Sequence, residues 1–332
     1  MLALLLTLLP ADPLAFYFID VEGGGAMLAV APDGQSMLVD SGYPDLGGRD
    51  LKRLLRVIRE EAGLTQIDHA IVTHWHRDHY GNHAALAAEI PIGRFLDRGI
   101  PDALREDNEF ETRIANYRAA TQNRSLTLRI GGGLKLSHQG PVEVEVVAAS
   151  RKTIQGGRRN PYASEHVPRD RDESDNAESL AMVIRCGEFE LFCGGDLTWN
   201  VEADLATPGN PIGEVDAYMV THHGLPSSNN PVLVKALDPT VAVMCNGPSK
   251  GGHPDVLALL ATLQREHDLK AWYQLHKNLS ADASIQAPPE RIANTDDTES
   301  CEGRFIKVTY EPGADTFAVQ VEGREAETFE VK

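Results

Sequence analysis

Cysteine and basic residues are both in short supply in this chain, and no apolar run is long enough to span a bilayer. The four cysteines, at 186, 193, 245 and 301, have the spacing of no zinc ribbon and no redox motif. Cys186 and Cys193 stand at the two ends of a hairpin-like stretch. In an exported chain a disulfide there, a disulfide between Cys245 and Cys301, or plain buried thiols all fit. Lys and Arg total 31 against 49 Asp and Glu, a net charge of -18. That excess of acid repels phosphate backbones at long range and argues against long duplex nucleic acid as a partner. The three glycines at 23–25 lack the GxGxxG spacing and the following helix of a dinucleotide fingerprint, and read as a turn. No serine or cysteine stands in a nucleophile motif, so covalent catalysis has no support.

What is present is a chain of 332 residues, 42% hydrophobic, enough for a sizeable core in one large domain or two modest ones. Met1 to Leu9 is almost wholly apolar and is followed by Pro10-Ala-Asp-Pro-Leu-Ala15. This resembles the end of a secretory signal peptide without its leading cations, which predicts export to the periplasm or beyond. A buried N-terminal element in a cytoplasmic protein is the alternative. Short apolar runs at 16–21, 26–31 and 36–40, separated by glycine-rich or Pro-Asp-Gly breaks, predict consecutive strands. Leu51, Leu54, Leu55 and Ile58 share one face of a helix over 49–62, and a strand over 67–73 follows. Asn82 is placed to cap a helix through Ala88. Further on, 109–120 and 255–265 predict helices, 180–184 with 190–193 a strand hairpin, and 217–221 and 241–245 single strands. The polar stretch 151–176 reads as a long surface loop near the active site. This mixture predicts an α/β or α+β fold, with a main domain over 16–279 and a loop plus accessory hairpin over 280–332.

Five histidines fall between positions 69 and 83, and three of them alternate with an aspartate as His74-Trp-His76-Arg-Asp78-His79. On an extended segment His74 and His76 point the same way and form a pair of imidazole ligands for one metal. Asp78 and His79, on the turn that follows, can reach a second. Burying these groups without compensation would be costly, so the cluster predicts a metal site of zinc type, with manganese or iron as alternatives. Asp196 follows a strand and two glycines, placed to bridge two ions. His222 and His223 also follow a strand directly; one is a ligand and the other positions substrate or protonates a leaving group, and spacing does not say which. Asp40, at a strand end, is placed to accept a hydrogen bond from a ligand histidine and fix its tautomer.

Together these residues resemble the metallo-β-lactamase superfamily over about residues 16 to 275. The resemblance implies an αββα four-layer sandwich with two metals at the edge between the sheets, held by His74, His76, Asp78, His79 and Asp196. Asn176-Ala-Glu-Ser179-Leu180, Gly195-Asp196 and His222-His223-Gly224 further resemble the branch related to the hydrolase domain of the competence protein ComEC/Rec2. The histidine that many members carry before the bridging aspartate is missing; Asn176 and Ser179 stand in that region, and His166 lies upstream. Lys250-Gly-Gly-His253-Pro254 resembles the branch's Gly-His-Pro segment, which makes His253 a further candidate for the last ligand, or else a helix-start histidine. The branch's Asp-Val-Gly-Gln-Gly-Asp is here Asp20-Val-Glu22-Gly-Gly-Gly25. The resemblance implies hydrolysis by metal-activated water, with Asp78, Asn176, His222 and His223 at the reacting centre and a small phosphorylated or ester substrate, a phosphodiester first. A lactamase, lactonase or thioesterase activity, iron-dependent redox chemistry, and a degenerate binding protein are the alternatives.

Overall fold

The computed structural model describes residues 12–44, 46–137, 142–297 and 300–332, so the apolar start, as far as residue 11, lies outside the described residues. Two mixed sheets stack face to face. The first runs, edge to edge, Glu327–Glu330, Thr316–Val321, Ile306–Tyr310, Leu14–Phe18, Met27–Val30, Ser36–Val39, Ile67–Ile71, Ile92–Asp97 and Leu126–Thr127. The second runs Ile292–Asn294, Ala271–His276, Val241–Met244, Ala217–Met219, Phe189–Cys193, Ala181–Cys186, Val142–Ala149 and Gly133–Lys135. Each sheet is antiparallel in one half and parallel in the other.

Period-two alternation decides which face each side chain takes. Phe16 and Phe18 enter the core between the sheets with Met27, Val39, Met182, Ile184, Leu191 and Val243. Ala15, Tyr17 and Ile19 point the other way, against Leu54, Val57 and Ile58 of the helical segment that begins at Arg49. On the far side Leu205, Leu233, Leu257 and Leu260 bury the helices Trp199–Ala206, Pro231–Leu237 and Pro254–Glu266 against the second sheet. The result is the four-layer αββα sandwich. Each fully buried Leu or Phe contributes about 1.5–3 kcal/mol, so the central layer is the main source of stability.

Two expectations change, and for the cysteines the free-thiol alternative is the one observed. The C-terminal hairpin is no appendage: Ile306–Tyr310 pairs antiparallel with Leu14–Phe18, and Phe317 and Val319 join the central core. Cys186 and Cys193 are free, because the hairpin register sets Cys186 opposite Phe189 and Cys193 opposite Met182; Cys245 and Cys301 are free as well. Asn82 precedes the helix His83–Glu89 without capping it, because its amide instead donates to the carbonyls of Ser41 (2.8 Å) and Tyr43 (2.5 Å).

Candidate metal centre

The parallel halves of both sheets release their chains at one edge, and the candidate residues lie on the loops that leave there. Ile67–Ile71 leads into Thr73, His74 and His76 and then into the single helical turn Arg77–Tyr80, which carries Asp78 and His79. Phe189–Cys193 leads through Gly194 and Gly195 to Asp196. Ala217–Met219 leads to His222 and His223, both in left-handed backbone (φ 53° and 55°). Such conformations cost non-glycine residues roughly 1–3 kcal/mol each. Here they turn two successive imidazoles onto the same carboxylate.

That carboxylate is Asp196. Its Oδ2 lies 3.2 Å from His79 Nε2, 3.4 Å from His222 Nε2, 3.4 Å from His223 Nε2 and 3.8 Å from His74 Nε2. Asp78 Oδ2 is 3.4 Å from the Nε2 atoms of both His79 and His223. One ligand atom from each of Asp78, His79, Asp196 and His223 can be chosen so that all lie within 4.8 Å of one another, and all four residues are buried.

The rest of each ring explains its orientation. Thr73 Oγ1 donates to Asp40 Oδ2 at 2.7 Å, so the hydroxyl oxygen is left to accept from His74 Nδ1 at 3.1 Å. Asp40 Oδ2 also accepts from His79 Nδ1 at 2.7 Å, while Oδ1 accepts from the Thr73 amide at 2.8 Å. His223 Nδ1 donates to the Cys245 carbonyl at 3.1 Å. His222 Nδ1 sits 3.0 Å from Ser228 Oγ and 3.1 Å from Ser227 Oγ, and His76 Nε2 donates to Glu106 at 2.9 Å. Five histidines thus have one ring nitrogen engaged away from the centre, which leaves the other nitrogen as the available donor.

Charge is concentrated to match. Burial pushes the His79 imidazole down, but Asp196, Asp40 and Asp78 overcome it and hold its pKa well above the ordinary value. Burial and the neighbouring His79 drive His74 well below it. Burial raises Asp78 and Asp196, yet the surrounding histidines, with Lys250 beside Asp78, hold both well below the usual carboxylate range. Burial brings His222 down to about 4.

These donors fit a divalent ion. His79 Nε2 and His223 Nε2 face each other at 3.1 Å with both Nδ1 atoms hydrogen-bonded to acceptors, an arrangement of lone pairs that a proton or a cation must bridge. His74 Nε2, Asp196 Oδ1 and Asn176 Oδ1 are buried and have no hydrogen-bond partner, which a metal-ligating role would explain. Asn176 Nδ2 lies 3.4 Å from His222 Nε2, so the asparagine in the missing-histidine region does reach the cluster. His253 is not brought in: it caps the helix Pro254–Glu266, its ring is 42% exposed, and Nδ1 accepts from the Asp255 amide at 3.3 Å. His166 stays in the long loop, 3.1 Å from the Asn230 amide nitrogen.

Sequence reasoning missed the supports. Thr73 adjoins the motif, but Glu106, Ser228 and Lys250 come from distant segments. The Ser179 hydroxyl accepts from the Asp196 amide at 3.2 Å. Gly25, read as part of a turn, is a close approach: a Cβ there would stand 2.7 Å from His79 Nδ1 and 2.9 Å from Asp40 Oδ2. Among the described residues a second group, Asp20, Glu22, His276 and Cys301, also has metal-ligand atoms within 4.8 Å of one another. There Arg53 already sits on both carboxylates, 2.9 Å from Asp20 and 3.0 Å from Glu22.

Residues 21–173 match the family described as the metallo-beta-lactamase superfamily. No curated protein matches the chain in sequence. Among solved structures the chain is similar to CmlA, a diiron β-hydroxylase from Streptomyces venezuelae (17% identity, TM-score 0.45, 78% of this chain and 52% of that one). It is also similar to the metallo-beta-lactamase fold protein YhfI from Bacillus subtilis (14%, 0.45, 79% and 96%). A third is a putative metal-dependent hydrolase from Parabacteroides distasonis (11%, 0.42, 77% and 90%). The chain spans about half the length of CmlA. The family match covers residues 21–173, just under half of the chain, and the described residues as a whole carry the αββα fold.

Proposed function

We propose that this chain is a member of the metallo-β-lactamase superfamily and a metal-dependent hydrolase of small anionic substrates, a phosphodiester or phosphate ester first. The observation that carries the metal is the convergence of four imidazole Nε2 atoms on Asp196 Oδ2, at 3.2 to 3.8 Å. Asp78, His79 and His223 with Asp196 would hold one ion. His74 and His76 with the same aspartate would hold another, completed by His222 or Asn176. Zinc is the first choice, and manganese is the alternative for hydrolysis. A bound divalent ion would acidify water and stabilise developing negative charge.

The chain's own part is orientation. Asp40 fixes His79 and, through Thr73, His74; Glu106 fixes His76; Ser227 and Ser228 hold His222. Asn176, with its amide beside His222, would hold substrate if it is not a ligand. Lys250, its side chain one-third exposed, adds a cation beside Asp78 that favours an anionic substrate. The choice of a phosphodiester rests on the resemblance to the ComEC/Rec2 branch, and the net charge of -18 favours a small ligand over a polymer.

Iron-dependent oxidation, as in the diiron β-hydroxylase CmlA, is the second reading. A donor set of imidazoles and carboxylates without thiolate suits iron as well as zinc. Metal content after purification without added metal, paired with cleavage of a chromogenic phosphodiester, a lactone and a thioester, separates these readings. Bound zinc or manganese with chelator-sensitive phosphodiester cleavage is expected. Tightly held iron without hydrolysis overturns the hydrolase, and cleavage of only the carbonyl substrates overturns the choice of phosphorus. Export, proposed from the apolar start alone, is tested by fractionating expressing cells; accumulation of the uncleaved chain in the cytoplasm contradicts it.

A further inference from the structure

We infer that Lys250 is a resident counter-cation of the Asp78 position and makes the two metal positions unequal. The inference rests on the metal reading above. Lys250 Nζ donates to Asp78 Oδ2, the same oxygen that lies 3.4 Å from His79 Nε2 and His223 Nε2. It therefore sits on the atom through which Asp78 would serve an ion. Tyr43 holds it there: Nζ donates to the phenol oxygen at 3.1 Å and lies 5.4 Å from the ring centroid.

The backbone around the lysine is tied to the site as well. The Gly252 amide donates to the His223 carbonyl at 2.9 Å, and the Gly247 amide to the Lys250 carbonyl at 2.8 Å. Gly251 has φ 77°, and a Cβ there would stand 2.1 Å from the His223 carbonyl oxygen, so this loop and the ligand turn are packed in fixed register.

On the other side of Asp196 the side chain hydrogen-bonded to His76 is the carboxylate of Glu106, and His74 Nε2 has no hydrogen-bond partner. A divalent ion binding there keeps the Lys250–Asp78 pair intact. An ion binding at Asp78 must share its carboxylate with an ammonium or displace it, and like charges at that range oppose each other. The His74–His76 position then fills first, and the Asp78 position fills at higher metal concentration.

The test is calorimetric titration of chelator-stripped protein with zinc and with manganese, on the wild type, K250M, K250R and Y43F, each checked for folding by circular dichroism. The expected result is two unequal affinities in the wild type. In K250M the weaker one should tighten by at least about tenfold while the stronger stays put. K250R should resemble the wild type, and Y43F should shift in the direction of K250M by less. Two affinities that are equal in the wild type, or a weaker affinity that K250M and Y43F leave unchanged, overturn the inference and leave the metal reading standing. No uptake by any of the proteins overturns both.

Discussion

Two buried polar clusters in this molecule are built from the same residue types and come to different ends. Around Asp196, histidines and carboxylates face one another, and His74 Nε2, Asp196 Oδ1 and Asn176 Oδ1 are left without a hydrogen-bond partner. Around Asp20, His276 and Glu22 meet an arginine. Arg53 donates to Asp20 Oδ2 at 2.9 Å and reaches Glu22 at 3.0 Å, Arg49 pairs with Glu22, and His276 Nε2 lies 3.0 Å from Asp20 Oδ2. Asp20 and Glu22 are therefore satisfied by protons already in the chain. Ligand type alone does not distinguish a metal centre from an ion-pair network. What distinguishes them is whether the acceptors have been given donors.

The comparison breaks most sharply if Asp196 is altered. D196N keeps the shape and removes the shared charge; metal retention should fall by more than the roughly 10–100-fold typical of outer-shell changes, and hydrolysis should fall with it, as read by metal analysis and steady-state kinetics. R53M tests the other cluster. It removes the shared arginine, leaving Asp20 to His276 and Glu22 to Arg49, and should cost about 1–3 kcal/mol of stability in denaturant unfolding, with metal affinity unchanged. A smaller effect is expected from D40N and E106Q, which free His79 and His76 to rotate: metal affinity should drop roughly 10–100-fold with little change in stability. The smallest effect is one of pH on metal-free protein. Burial lowers His276, but Asp20 and Cys301 outweigh it and raise its pKa to about 9. A raised histidine stabilises the fold fully below its ordinary value near 6.5 and loses that contribution as pH rises through about 9. Wild-type stability should therefore fall between pH 7 and pH 10 by more than that of H276Q; equal slopes would contradict the ion pair.

Legibility in the sequence followed locality. The motif from His74 to His79 declared itself because six consecutive residues carry it, and the strand breaks near Gly23, Pro32 and Gly42 were read from turn chemistry within a few positions. Asp40 was inferred because a strand end in front of a ligand loop is a recurring place for such a carboxylate. Glu106, thirty residues from His76, and Lys250, still further from Asp78, carry no local signal; only the packed sheets bring them in. The same holds for the strand Ile306–Tyr310, whose partner Leu14–Phe18 lies at the other end of the described chain. His253 shows the reverse: its Gly-His-Pro setting resembled a ligand segment, yet the proline that follows starts a helix and the imidazole caps it.

The most direct test of the central claim is equilibrium dialysis of chelator-stripped wild type, D196N and D20N against zinc, manganese and iron(II). The account predicts that D20N binds metal as the wild type does and that D196N loses it. Loss of binding in D20N with retention in D196N would place the metal in the cluster that Arg53 already neutralises, and would contradict the account.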